Sequence, residues 1–116
     1  MPSKDPAVRY IDILDNIARI KLYVDGYDID RFMADERTCD AVERCLARIS
    51  EAAVKLGPLA EAVDPSIPWR NIRDLGNHLR HAYDGVDPHI LWNIIHRDLG
   101  ALAEACQRAV RGEPVA

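Results

Sequence analysis

Arg70, Arg73, Asn77, His78, Arg80, His81 and Tyr83 crowd into one short stretch of this chain, WRNIRDLGNHLRHAYDGVDPHILW at residues 69–92. A segment that only had to pack would not need so many titratable and hydrogen-bonding groups. His78 and His81 stand three residues apart and Asn77 four before His81, so on a helix all three project around one side. Asp74, His78 and His81 also have i, i+4, i+7 spacing, which could set one carboxylate and two imidazoles around a divalent metal. No fourth ligand is signalled elsewhere, so the expected site is metal-free. His89 and His96 read as surface residues. The chain has no glycine-rich phosphate loop, nucleophile elbow or triad ordering, which removes support for a nucleotide-binding fold or a small-molecule hydrolase and leaves no cofactor expected.

The elements that must hold these groups are helical. Asp5 followed by Pro6 is a cap-then-proline start, and Tyr10, Ile11, Leu14, Ile17, Ala18 and Ile20 follow at helical spacing until Gly26. A short segment over 28–33 precedes Asp35, the expected N-cap of a long helix carrying Val42, Cys45, Leu46, Ile49, Ala53 and Leu56, which Gly57 and Pro58 close. Residues 59–68, with Pro65, Ser66 and Pro68, read as a connector holding about one helical turn. The chemistry-bearing helix begins near Trp69, takes its apolar stripe from Ile72, Leu75, Leu79 and Ala82, and ends by Gly85. Asp87 and Pro88 restart the chain into a final long helix marked by Leu91, Ile95, Leu99, Leu102, Cys106 and Val110. No segment has strand period. Four main amphipathic helices plus a short extra one predict an all-α fold, an antiparallel up-and-down bundle over residues 1–116 as a single domain. Trp69, Tyr83 and Trp92 would close the bundle end or lie in an oligomer contact.

Composition narrows the function classes. The chain has 116 residues, 48% hydrophobic and 29% charged, enough for a real core. A net charge of -4 and a pI near 5.5 argue against broad, non-specific nucleic-acid binding, which needs a basic face, but leave room for a local basic patch. Cys39, Cys45 and Cys106 are odd in number and fit no metal or redox spacing, so they read as core fillers in a reduced, cytosolic protein. The charged N-terminus and the lack of a long apolar run lead us to expect a soluble chain with no leader and no membrane span.

Asn77-His78-Leu79-Arg80-His81-Ala82-Tyr83, then the turn Asp84-Gly85-Val86-Asp87, then Leu91-Trp92 and Asp98-Leu99, resembles the HepT-like toxins of the HEPN ribonuclease superfamily. That family's bundle helix bears Arg-Asn-x-Leu-x-His-x-Tyr before a Val-Asp turn and a last helix that opens with tryptophan. The resemblance extends back through Ile67-Pro68-Trp69 and Ile72 to the opening helix at Tyr10-Ile11, and so covers most of the chain. One position departs from it: where the family's arginine stands, five residues before the histidine, this chain has Gly76.

The resemblance implies metal-independent RNA cleavage. Histidine suits the proton transfer because its ordinary pKa lies near neutrality, and arginine offers a fixed bidentate phosphate clamp. His81 would move a proton at the ribose 2'-hydroxyl or the leaving oxygen, and Asn77 would orient substrate or imidazole. His78 would assist at phosphate, with Arg80 or Arg73 replacing the missing cation. Family members act as homodimers whose motif helices face each other. They pair with a nucleotidyltransferase antitoxin of the MNT type that transfers AMP to the motif tyrosine, here Tyr83; an adenylate there would repel an RNA phosphate. Gly76 sustains a second expectation of a different class: a catalytically weakened HEPN domain that still dimerises and binds its nucleotidyltransferase partner.

Overall fold

The computed structural model describes residues 5–82 and 85–112. Its elements are α1 (Pro6–Tyr23), α2 (Ile29–Ala34), α3 (Glu36–Leu56), α4 (Leu59–Val63), α5 (Trp69–His81), α6 (Pro88–Asn93), a π-helical segment (Ile94–Asp98) and α7 (Leu99–Arg111). The fold is all-α, with no strand among the described residues. No helix among them is long and apolar enough to cross a membrane.

Short polar side chains set the starts of α1, α2 and α3. Asp5 accepts from Ala7 N at 3.1 Å, Asp28 from Arg31 N at 2.8 Å and Asp35 from Thr38 N at 3.0 Å, each satisfying an amide that the first turn leaves without a partner. Asp35 also accepts from the Tyr27 hydroxyl at 2.6 Å, and this bond, with those from Thr38, pulls its pKa down to about 2. Gly57 takes φ 60° just past α3, a region that favours glycine.

The long helix α3 is the hub, packed against α1 on one side and α5 on the other, while α1 also packs on α7. Between α5 and the π segment with α7 lies a cleft of about 490 Å³ lined by Leu46, Ile72, Leu75, Ile94 and Leu102. The buried arc of α1 runs through Tyr10, Ile13, Ile17 and Ile20; Ile11 and Ala18, expected in the stripe, lie about 90° or more off that arc and are exposed.

The last helix departs from expectation. Leu91, Ile95, Leu99, Leu102 and Cys106 are all buried as anticipated, whereas Val110 is exposed. The first three are spaced four and four, which in a regular α-helix drifts about 80° around the axis. The wider turn of the π segment absorbs that drift and keeps all three inward.

Candidate active site

Helix α5 sorts the candidate residues by its own periodicity. At about 100° per residue, Arg70, Asp74, Asn77 and His81 fall within one arc facing away from the buried Trp69 and Gly76. All four are exposed, as are His78 and Arg80 to either side of His81. The side chains of Asn77, His78, Arg80 and His81 make no hydrogen bond or ion pair with other described residues. Their polar ends are therefore open to a ligand. Arg70 lies on the same arc about two turns before Asn77, although its spacing to the histidines does not single it out.

Arg73 is used differently from the expected phosphate role. Its Nε donates to Ala53 O at 3.3 Å, one terminal nitrogen donates to Gly57 O at 2.9 Å, and the fork grips both oxygens of Glu61, one of them at 2.9 Å. It thereby satisfies carbonyls at the end of α3 and ties α4 and α5 to it. The bidentate contact raises the Arg73 pKa further and lowers that of Glu61. A guanidinium so engaged has no free fork for a phosphate.

Gly76 is buried where α5 crosses α3. Ser50 Oγ accepts from Gly76 N at 3.0 Å and donates to Arg73 O at 2.9 Å. A Cβ on residue 76 would collide with Ser50 Oγ and lie 2.9 Å from Ser50 Cβ. No side chain fits at position 76 unless Ser50 moves. Spacing within α5 did not reveal Ser50; a serine in the middle of the apolar stripe of α3, between Leu46 and Ala53, was the available signal.

Beyond α5 the turn is held by Val86, which is buried, and by Asp87, which caps α6 by accepting from His89 N at 2.9 Å and contacts His89 Nδ1 at 3.1 Å. The amide bond, then the imidazole, lowers the Asp87 pKa. Trp92 makes tilted ring contacts with Phe32, 5.3 Å away by ring centroids, and with the exposed His96, at 4.1 Å. Trp69 is a core residue. Tyr83, the expected AMP acceptor, lies outside the described residues. Among the described residues no three His, Cys, Asp or Glu side chains gather as metal ligands, and Asp74, His78 and His81 form no such group. The three cysteines are free and buried; burial pushes the Cys106 thiol up to about 12, which makes it a poor nucleophile.

Residues 13–109 match the family described as Ribonuclease HepT-like. The chain belongs to it. A Methanocaldococcus jannaschii protein named as a candidate RNase is 34% identical over 95 residues, covering 82% of this chain and 78% of its own length. A Thermococcus cleftensis protein named as a probable ribonuclease HepT is 33% identical over 91 residues, covering 78% and 83%. No solved structure matches the chain. The HepT-like match spans α5 whole, so Asn77, His81 and the Gly76 departure all lie within it.

Proposed function

We propose that this protein is a metal-independent RNA endoribonuclease, the toxin of a type II toxin–antitoxin system. The observation that carries the reading is the exposed face of α5, where the side chains of Asn77, His78, Arg80 and His81 lie unpartnered among the described residues, in a chain of the HepT-like family. His81 takes the proton of a ribose 2'-hydroxyl as its oxygen attacks the adjacent phosphorus, or returns a proton to the departing 5'-oxygen. Asn77, one turn before it, orients the imidazole or the ribose by hydrogen bonds, with His78 and an arginine of the same helix at the phosphate.

Several further features belong to this reading. The four main helices form an up-and-down antiparallel bundle over a single domain of residues 1–116, and two copies pair with their α5 helices facing across a cleft. An MNT-like nucleotidyltransferase serves as the cytoplasmic antitoxin and adds AMP to Tyr83. The physical basis for control is charge, since an adenylate two residues from His81 repels the RNA backbone.

The decisive measurement is cleavage of single-stranded RNA by the purified, unmodified protein in the presence of EDTA. Cleavage should occur, and His81→Ala should remove it by a factor on the order of a thousand with the thermal melt unchanged. Chelator-sensitive cleavage would sink the metal-free mechanism. Gly76, which denies the motif its usual arginine, favours the alternative of a binding subunit, and a wild type that binds a nucleotidyltransferase but leaves RNA intact would establish that alternative.

A further inference from the structure

Building on the ribonuclease reading, we propose that Arg80, folded back over Gly76, is the phosphate-binding cation of this site, and that Ser50 is the positioning residue that makes room for it. Arg80 follows Gly76 by four residues. Helical side chains lean toward the N-terminus and cover the turn before their own, so the natural course of Arg80 passes over position 76. Because residue 76 has no side chain, an Arg80 guanidinium nitrogen lies 3.7 Å from the point where its Cβ would be. A guanidinium arriving from one turn later thus lies beside the backbone position at which the resemblance leads one to expect an arginine.

Ser50 enforces this arrangement. Its hydroxyl bridges Gly76 N and Arg73 O, drawing the α5 backbone so close to α3 that a Cβ at 76 has no space. The glycine and the serine form a matched pair, and their consequence is the open path that Arg80 occupies. The other arginines of α5 do not compete for the role. Arg73 is held by Ala53, Gly57 and Glu61, and Arg70 stands about 15 Å along the helix from Arg80. Arg80 is exposed and unpartnered among the described residues, adjacent in sequence to His81.

Single-turnover cleavage of a fluorescein-labelled single-stranded RNA 20-mer by the full chain tests the proposal, together with binding of the same RNA over a range of salt in a His81→Ala background. Arg80→Ala should slow cleavage on the order of a hundredfold, with Arg80→Lys recovering part of it as a point charge without the fork. In the binding experiment, Arg80→Ala should lower the slope of log Kd against log salt by about one; Arg111→Ala, which removes the same charge one turn beyond Arg108, should leave slope and rate unchanged. Ser50→Ala removes both bridging bonds and should cost roughly tenfold in rate at saturating RNA while Kd moves less than about twofold, a split that simple unfolding does not produce. If Ser50→Ala fails to fold, the Arg80 variants decide. A wild type that cleaves RNA while Arg80→Ala cleaves equally well, or keeps the full salt slope, overturns the Arg80 assignment and leaves the ribonuclease reading intact. A wild type that neither cleaves nor binds RNA overturns both.

Discussion

At its start, helix α5 is tied down through Trp69 and Arg73, whereas at its end the polar side chains are left open. Trp69 is buried and its indole N–H donates to Asp64 O at 2.9 Å. Asp64, also buried, accepts from Ser66 N at 3.0 Å and from Arg108 of α7 at 3.2 Å. One turn on, Arg73 clamps α3 and α4. Asn77, His78, Arg80 and His81, by contrast, are exposed and unpartnered among the described residues. A helix cannot be anchored through the same groups it must offer to a ligand. The difference teaches that its rigidity is supplied between Trp69 and Gly76, from about 18 Å to about 8 Å before His81 along the axis.

The largest effect expected from this contrast is at Trp69. Trp69→Ala should lower unfolding free energy by about 3–5 kcal/mol in urea melts, since it empties a fully buried site and removes the indole bond to Asp64 O. A loss under about 1 kcal/mol would mean that α5 is anchored elsewhere. A smaller, graded effect should follow acidification. Bonds from Ser66, then Arg108, hold the folded-state pKa of Asp64 below its ordinary value. A carboxylate with a depressed folded-state pKa stabilises the fold fully above its unfolded pKa of about 3.9, and that stabilisation disappears as pH falls toward the folded value. Asp35, lowered to about 2, should act in the same direction between about pH 4 and pH 2. Urea midpoints should thus fall on going from pH 5 to pH 2, and less steeply for Asp64→Asn, already weakened at pH 5; equal slopes would remove Asp64 from the anchor. The smallest effect belongs to the open end: Asn77→Ala, His78→Ala and His81→Ala should each change stability by less than about 0.5 kcal/mol. A large loss from any of them would erase the distinction between the two ends.

Much of this was readable beforehand, and the reasons are local. Asp5, Asp35 and Gly57 act within one turn of their own sequence positions, so their helix boundaries followed from residue type alone. The face of α5 followed from spacing, because a helix fixes which side chains are neighbours. What spacing could not convey was the identity of partners on other elements. The commitment of Arg73 depends on Ala53, Gly57 and Glu61, up to 20 residues away, and the exclusion at position 76 depends on Ser50, 26 residues away. Ile11 and Ala18 share the helical spacing of the core stripe yet are exposed, because an apolar residue at helical spacing does not announce which of two adjacent arcs is covered.

The π-helical segment from Ile94 to Asp98 has a consequence for how this chain can tolerate change in length. An i→i+5 turn is an α-helix carrying one surplus residue, so it works as a slack loop inside an otherwise stiff rod. Deleting a single residue there would convert the segment to ordinary helix and leave Leu91 and Leu99 seven positions apart, still on one side. The same deletion in the middle of α3 would rotate everything beyond it by about 100°. A one-residue deletion in this chain can therefore be absorbed between Asn93 and Leu99 without turning the apolar faces of α6 and α7 out of the core.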